Sequence, residues 1–507
     1  MTLHAGTYVF EGGRVLMGGA PARVATLSPA AAGALRPAAA PQGEDRRGQR
    51  ASTGRPRLAV TVTDATTRQL GGYLVRAGLG DPDPRTLPAA DLSEVTVVIP
   101  CYRRLHQLHR LLRSITTALP DSAVVVVDDA SGEQSEHIVA LARDFGAEVI
   151  TCDVNRGPAA ARNTGLARVR TPYVLFVDTD VVVSEGCIDV LLRHFADPRL
   201  AAVAPRVLGL GPDADGRSGH RPASASRAPS TPHGGWVQRY ENIRSSLDHG
   251  PEPSLVRPHS TQSWLSTTCL LARREALGGG FEDGMRVAED VDLIWRLAAS
   301  GWRIRYEPRV IVEHEHRTSM RSWLSRKHLY GTGAALLAQR HGDLVAPAVM
   351  SPWAAGVLMA VACQRRWSLP VAGLVTAVAT AANMHRLKHA VPSLSSRARL
   401  AGQLTCFGLG AAVGQGLALA VRHWWPGLAA AGILSRRARR LLVVAAVAEA
   451  AWEYVRLKPE MDALRFAAAR RLDDAAYGLG VWKGALRKRS LRALLPARPR
   501  ARDSGVR

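Results

Sequence analysis

The sequence has few cysteines, and their arrangement excludes a disulfide framework and a cysteine-based zinc site. The six cysteines of the 507 residues are scattered, with no CxxC pair and no histidine at zinc-finger spacing. This pattern is typical of reduced thiols in the cytosol. The first residues, MTLHAGTYVFEGG, contain no basic segment followed by an apolar run. We therefore expect no signal peptide.

Aromatic residues are also scarce, whereas basic residues are in excess. Aromatics make up 5% of the chain, and Lys plus Arg number 66 against 43 Asp plus Glu, a net charge of +23. Such an excess indicates an anionic partner: a phosphate group, a nucleic acid or an acidic membrane surface. Residues 94–335 carry no basic stripe interleaved with aromatics, which a nucleic-acid surface would need. We therefore predict no nucleic-acid partner.

Residues 1–90 read as a small N-terminal module. The segment TYVFEGGRVLMGG (7–19) predicts two short strands around Gly-Gly turns, and residues 62–79 predict an amphipathic helix. Between them, residues 36–57 are rich in Ala, Pro, Arg and Gln, so we expect a disordered insert. Strands and helices in so short a segment predict a winged-helix-like module.

From residue 94 onward, strands alternate with helices, which predicts an α/β domain with a mostly parallel sheet. The runs VTVVIP (95–100), AVVVVDDAS (123–131) and YVLFVDTD (173–180) are apolar without alternation, as in strands covered on both faces. Polar clusters follow each run directly. Ligands of open α/β sheets bind beyond the carboxyl ends of the strands. The sequence therefore predicts a binding site at this edge.

Asp178 and Asp180 interrupt the apolar run VLFVDTDVVVS (174–184). A buried carboxylate is costly unless it is paired, neutralised or bound to a metal. Mg²⁺ and Mn²⁺ bridge a few carboxylates to substrate phosphates. The pair therefore predicts a divalent cation site, with a solvated turn or a helix cap as the alternative.

Two further clusters suit a phosphorylated ligand. One carboxylate of Asp128 and Asp129 could accept a hydrogen bond from a base N–H, while the other could cap the next helix. In NRGPAAARNTG (155–165), Gly157 precedes a helix N-terminus, which suits a phosphate, and Arg162 would add positive charge.

An acidic pair and a histidine complete the set of candidate residues. Glu289 and Asp290 open the helix of VAEDVDLIWRLAASG (287–301), where acids also favour the helix dipole. With a metal and phosphates nearby, a carboxylate placed away from the cation could serve as general base. His314, which follows a predicted strand, could complete the metal site.

Residues 340–500 predict a helical hydrophobic region. The stretches 344–363, 367–384 and 400–421 contain no charged residue, and each is near the roughly 20 residues that span a bilayer. Flanking arginine clusters favour association with the cytoplasmic face of the cell membrane. A buried helical hairpin domain is the alternative.

Taken together and in this order, the motifs resemble those of family 2 glycosyltransferases with the GT-A fold, over residues 94–335. The resemblance rests on VVIPCYRR, VVDDAS, NRGPAAARNTG, DTD and AEDVDLIWRL. It implies a UDP-sugar donor and an inverting, metal-dependent transfer. It also implies roles for individual residues: Pro100 and Tyr102 border the nucleotide, Asp129 contacts the uracil, Arg162 lies near the diphosphate, Asp178, Asp180 and His314 hold Mg²⁺ or Mn²⁺, and Asp290 is the base with Glu289 beside it.

The whole chain resembles one subgroup, the mycofactocin-system glycosyltransferases. This resemblance rests on GGRVLMGGAPARVATLSPAA (12–31), on AEDVDLIWRL with HEHRTS, and on the hydrophobic tail. It implies transfer of β-linked glucose from UDP-glucose to a peptide-derived redox cofactor. The N-terminal module is similar to winged-helix elements that recognise precursor peptides. SMRSW (319–323) lacks the Gln of the Q-x-x-R-W motif of processive synthases, so we expect a short oligosaccharide.

Two other functions fit parts of the sequence. The hydrophobic tail and basic surface would also suit a transferase that acts on a polyprenyl-phosphate or cell-wall glycan acceptor. The charge excess alone would suit a non-catalytic binder of membranes or nucleic acid.

Overall fold

A computed structural model of the chain describes residues 1–19, 23–38, 58–211, 235–391 and 393–499. The described residues form two compact units. The first unit comprises Met1–Thr7 and Ala34–Thr318, and the second comprises Tyr8–Gly33 and Ser319–Arg507. The first unit thus ends at Thr318, before the predicted boundary of the transferase domain at 335.

The N-terminal residues form short elements that are divided between the two units. In chain order they are β1 (Thr2–Leu3), β2 (Tyr8–Phe10), β3 (Val15–Gly18), β4 (Arg23–Thr26), α1 (Pro29–Gly33), β5 (Arg36–Pro37), β6 (Leu58–Ala59), α2 (Ala65–Ala77) and β7 (Gly80–Asp81). Strands β5, β6, β1 and β7 form one sheet in that order, and β2, β3 and β4 form another.

Each small sheet is anchored within its own unit. In the first unit, the Arg305 guanidinium donates a hydrogen bond to Asp81 Oδ1 at 2.7 Å, and both side chains are buried. In the second unit, Val15 and Met17 pack in a cluster with Leu400. The predicted winged-helix-like module therefore divides between the units, and its assignment stays a prediction. Most of the predicted disordered insert, residues 39–57, lies outside the described residues.

The rest of the first unit contains nine strands and seven α-helices among its described residues. The strands are β8 (Val95–Cys101), β9 (Ala123–Asp128), β10 (Glu148–Thr151), β11 (Tyr173–Val177), β12 (Val181–Val183), β13 (Leu200–Gly209), β14 (Ser254–Val256), β15 (Cys269–Arg273) and β16 (Arg303–His314). The helices are α3 (Leu105–Ala118), α4 (Ser135–Asp144), α5 (Pro158–Leu166), α6 (Cys187–Arg193), α7 (Trp236–Arg244), α8 (Arg274–Leu277) and α9 (Glu289–Ala299).

These nine strands form one mixed sheet in the order β10-β9-β8-β11-β15-β13-β16-β12, and β14 also pairs with β16. The first four strands are parallel to one another, as the unbroken apolar runs predict. Strand β15 runs antiparallel to both of its neighbours, whereas β13 and β16 are parallel. Six of the nine strands therefore run in one direction, which confirms the predicted mostly parallel α/β sheet.

Helices cover both faces of the parallel strands. On α3, Leu108, Leu111, Leu112 and Ile115 recur at helical spacing and pack in the main core with Val97 and Ile99 of β8. On α5, a Cβ at Gly165 would clash with the Val98 side chain of β8. The missing side chain lets α5 approach the sheet closely, which brings its N-terminus to the edge where the strands end.

The second unit is largely helical. Its helices after residue 319 are α10 (Met320–His341), α11 (Pro352–Ala362), α12 (Ser368–Arg386), α13 (Leu394–Ala418), a π-helical turn (Leu419–His423), α14 (Trp425–Leu434), α15 (Arg436–Leu457) and α16 (Ala463–Lys488). Among the described residues, one helix, Leu394–His423, has the length and apolar composition needed to cross a membrane.

Helices α10 and α16 pack closely because glycines lie where they cross. A Cβ at Gly331 would clash with the carbonyl oxygen of Tyr477, and one at Gly480 would clash with that of His328. Since the obstacles are backbone atoms, neither helix could relieve the clash by rotating a side chain. These glycines therefore set the distance between the two helices.

Replacement of Gly331 by Ala should destabilise the helical unit by about 1–3 kcal/mol, because the added methyl group meets backbone. Gly373→Ala is the matched control: that helical glycine has no atom within 4 Å of a built Cβ. Alanine there should raise stability by about 0.4–1 kcal/mol. Thermal unfolding of both full-length variants checks the opposite signs, and equal shifts would contradict the close packing.

Candidate active site

The strand register places Asp180 beside His314. The Val181 amide donates to the Asp178 carbonyl at 3.2 Å, so the chain turns after Asp178 and continues as β12. Strand β12 pairs antiparallel with β16, where Val181 faces His314. Asp180 Oδ1 consequently lies 3.4 Å from His314 Nε2. Two of the three predicted metal ligands are therefore neighbours.

Asp180 also forms an ion pair with Arg104, which follows β8. Burial alone would raise the pKa of Asp180, but His314 and Arg104 outweigh it and hold the pKa below its ordinary value. Burial lowers the pKa of His314, yet Asp180 outweighs that effect and raises it. Asp180 is therefore a carboxylate held between Arg104 and His314.

Arg162 links the end of β11 to the start of α9. Its guanidinium donates to Asp178 Oδ1 at 2.6 Å and to Glu289 Oε1 at 3.0 Å. The side chain is only 4% exposed. A buried guanidinium is costly unless it is paired with carboxylates, so this contact constrains α5, β11 and α9 together. It brings the acidic pair of α9 to the DTD segment.

Within this acidic pair, Asp290 is the residue whose pKa is raised. Ala288 has φ of +64°, so the chain bends sharply before α9, and the Val291 amide donates to Asp290 Oδ1 at 2.8 Å. Burial, with repulsion from Glu289, raises the pKa of Asp290 to about 7. A carboxyl group with this pKa is matched to accepting a proton near neutral pH.

Asp128 and Asp129 have different partners. Asp129 Oδ1 accepts from the Arg156 amide at 2.9 Å, and its Oδ2 accepts from the Gly157 amide at 2.8 Å. Asp128 Oδ1 accepts from the amide and hydroxyl of Ser131, whereas its buried Oδ2 has no hydrogen-bond partner among the described residues. The unpaired oxygen of the two carboxylates thus belongs to Asp128, and the contact of Asp129 with the base stays a prediction.

Gly157 is required by the backbone at the start of α5. Its φ is +91°, and its amide is held by Asp129. The Arg286 side chain lies 3.4 Å from where a Cβ would stand. The predicted Gly157 loop therefore sits directly before the helix N-terminus, where a phosphate is favoured.

Pro100 and Tyr102 lie where β8 ends, as predicted. Pro100 pairs with Val127 of β9, and Tyr102 is exposed. The next residue, Arg103, has φ of +54°, and its amide donates to Ser131 Oγ at 2.9 Å. This bond connects the Tyr102 segment to the Asp128 turn, so both belong to one edge of the sheet.

Asp178, Asp180 and His314 supply carboxylate and imidazole groups, which are donors that Mg²⁺ or Mn²⁺ can bind. Asp180 and His314 are adjacent, whereas Asp178 faces Arg162. Within the described part of the chain, no three His, Cys, Asp or Glu side chains are grouped so as to hold a metal by themselves. The protein therefore offers part of a coordination shell rather than a closed site.

Sequence reasoning missed Arg104 and Glu315. Arg104 pairs with Asp180, and Glu315 accepts hydrogen bonds from Arg110 and from Gln107. Arg104 stands in the PCYRR cluster that marks the end of β8, which was the available clue. Glu315 had none, because its partners lie on α3, 205 and 208 positions away.

Comparisons with known proteins identify the family of the chain. The family model "Glycosyl transferase family 2" matches residues 96–248. The pre-mycofactocin glycosyltransferase of Mycobacterium tuberculosis is 37% identical over 508 residues, which cover 96% of this chain and 95% of the relative. The N-acetylglucosaminyl-diphospho-decaprenol L-rhamnosyltransferase of the same species is 29% identical and covers 43% of this chain and 75% of the relative.

A solved mannosyltransferase from Pyrobaculum calidifontis, in complex with GDP-Man and Mn²⁺, is 19% identical with a TM-score of 0.37. It covers 75% of this chain and 92% of that chain. The match to the family model and the 37% identity along nearly the whole chain confirm the predicted enzyme class. The chain therefore belongs to the family 2 glycosyltransferases with the GT-A fold, the family of the mycobacterial pre-mycofactocin glycosyltransferase.

Proposed function

We propose that the chain transfers glucose from UDP-glucose, with inversion to a β linkage, onto a peptide-derived redox cofactor of the mycofactocin type. The name of the M. tuberculosis relative supports this acceptor, because the similarity extends over 96% of the chain. The observation that carries the reaction type is the Arg162 bridge. It holds Asp178 and the acidic start of α9 in one place.

The residues divide the chemical work of such a transfer. The acceptor hydroxyl oxygen attacks the anomeric carbon from the face opposite the diphosphate, and the bond from that carbon to the phosphate oxygen breaks. The hydroxyl proton passes to the Asp290 carboxylate, and UDP leaves with the bonding electrons. Asp178, Asp180 and His314 would hold Mg²⁺ or Mn²⁺, which neutralises the diphosphate and stabilises the leaving group.

Recognition of the nucleotide base is assigned to Asp128. Its Oδ2 is buried and has no partner among the described residues, and a uracil N3–H would supply the missing donor. Gly157 and the N-terminus of α5 suit the diphosphate, since the dipole at a helix N-terminus favours negative charge. Tyr102 borders the base from the neighbouring strand end.

A second acceptor, a polyprenyl-phosphate glycan, is favoured by one observation. The mycobacterial rhamnosyltransferase that acts on a decaprenol-linked sugar matches 43% of the chain. Incubation with UDP- and GDP-sugars, each with a pre-mycofactocin acceptor or a polyprenyl-phosphate glycan, separates the two by mass spectrometry. Glucosylation of the peptide-derived acceptor supports the proposal, and exclusive transfer to the polyprenyl acceptor overturns it.

Replacement of Asp290 by Asn should lower kcat by about 10²–10⁴ while UDP-sugar binding changes little, because only the proton acceptor is lost. Asp121→Asn is the control, since Asp121 is exposed and lies away from the strand ends that form the site. Steady-state transfer rates and calorimetric UDP binding give both readouts. Near-normal turnover in the Asp290 variant would remove the base assignment.

The same residue predicts the acid limb of the pH profile. Asp290 accepts a proton only as a carboxylate, and its pKa is raised to about 7. The value of kcat/KM should therefore fall about tenfold for each pH unit below 7 and level off above it. The residual activity of Asp290→Asn should lack this limb, and an unchanged limb would assign it to another group.

Replacement of Asp128 by Asn should weaken UDP binding by roughly 10- to 100-fold, because a hydrogen bond to a charged acceptor is lost. Calorimetry with UDP in Mn²⁺ buffer measures the loss. Asp121→Asn again controls for the removal of one charge. If Asp128→Asn binds UDP like the unmodified chain, the base contacts another residue.

A further inference from the structure

Two helical hairpins of the second unit meet at their turns. Helices α11 and α12 are joined through residues 363–367, and α14 and α15 are joined at Ser435. Gln364 Nε2 donates to the Arg437 carbonyl at 2.9 Å, which brings the two turns together. We call residues 364–367 and 433–440 the twin-turn surface.

The twin-turn surface is strongly basic. Six of its side chains are exposed arginines: Arg365, Arg366, Arg436, Arg437, Arg439 and Arg440. None of them forms a salt bridge with an acidic side chain in the described part of the chain. From residue 344 to residue 448 the sequence contains eleven Lys and Arg and no Asp or Glu. Of these, Arg422 pairs with Asp473 and Asp474, whereas the six arginines of the twin-turn surface keep their charge without an acidic partner in the described part of the chain.

Large apolar side chains are exposed among these arginines. Leu434 is 94% exposed, Ile433 is 78% exposed and Trp367 is 47% exposed. On α12, Val371, Leu374 and Val378 are exposed at spacings of three and four residues, as on one helix face, and α15 exposes Val443, Val444 and Val447. Several large exposed apolar groups close together in sequence around two adjoining turns indicate an interaction surface.

From these observations we propose that the twin-turn surface docks on an anionic lipid bilayer. The arginines would pair with headgroup phosphates, and Trp367, Ile433 and Leu434 would enter the acyl boundary. A second copy of the chain is disfavoured as the occupant, because it would oppose arginines to arginines. A nucleic acid would leave the apolar side chains uncovered.

Within the two hairpins, the helix lengths favour docking from one side over crossing, whereas the separate helix Leu394–His423 is long enough to cross. Helices α11 and α14 have 11 and 10 residues, or roughly 16 Å at 1.5 Å per residue. That length is about half of the roughly 30 Å hydrocarbon thickness. Each hairpin thus has one helix that is too short to span a bilayer. The inference does not rest on the proposed sugar chemistry.

Vesicle co-sedimentation of the full-length chain tests the proposal. One vesicle set contains phosphatidylcholine alone, and the other contains about one third phosphatidylglycerol. We expect binding to the anionic vesicles, weakened by salt, and little binding to the neutral ones. Absence of binding to anionic vesicles, or equal binding to both sets, would overturn the proposal.

Matched variants locate the contact. Replacing Arg365, Arg366, Arg436 and Arg437 together by Gln should weaken anionic vesicle binding by at least about tenfold. The control replaces four exposed arginines of the first unit by Gln: Arg113, Arg143, Arg170 and Arg274. It makes the same charge change and should retain affinity within about twofold. An equal loss in both variants would overturn the assignment to the twin-turn surface.

The apolar contribution is tested separately. Replacing Trp367 and Leu434 together by Ser should reduce the binding that remains at high salt, because burial of apolar area is not screened. Sedimentation velocity without lipid provides the competing outcome. Self-association that the serine variant abolishes, without any vesicle binding, would identify the surface as a contact between copies and overturn the proposal.

Discussion

The site depends on one buried guanidinium. Arg162 would be strongly unfavourable in the interior of the domain without its two carboxylate partners, and those partners belong to segments far apart in the chain. Pairing this guanidinium with both carboxylates sets the relative positions of the end of β11, the first turn of α9 and the helix α5 that carries the arginine. Because Asp290 is next to Glu289, the same constraint places the candidate base. Burial beside Glu289 then raises the pKa of Asp290 to about 7.

Charge is distributed within the site in a way that suits a sugar-nucleotide. Arg104 and His314 flank the Asp180 carboxylate, whereas Asp290 lies beside Glu289 and has a pKa raised to about 7. Two carboxylates with pKa values pushed apart have different chemical uses: one stays ionised for a cation and the other takes a proton. This division supports a leaving diphosphate on one side and an activated hydroxyl on the other.

The parallel part of the sheet and the position of the candidate site could be predicted from the sequence. Apolar runs indicate the strands, and parallel strands end at a common edge. Asp178 and Asp180 follow such a run, so their position did not depend on knowing any contact. The different hydrogen-bond partners of Asp128 and Asp129 could not be predicted, since they depend on which carboxylate meets the amides of a loop 27 and 28 residues later. The packing of Val15 and Met17 with Leu400 could not be predicted either, because no local sequence pattern specifies so distant a partner.

The most direct test of the central claim is a crystal structure of the chain with UDP and Mn²⁺. The account predicts a cation bound by Asp178 and Asp180 against the diphosphate, the uracil N3–H at Asp128 Oδ2, and Glu289 still joined to Arg162. Asp290 should face the space that the sugar occupies. A diphosphate bound away from the edge where β8, β9 and β11 end, or an α9 detached from Arg162, would contradict it.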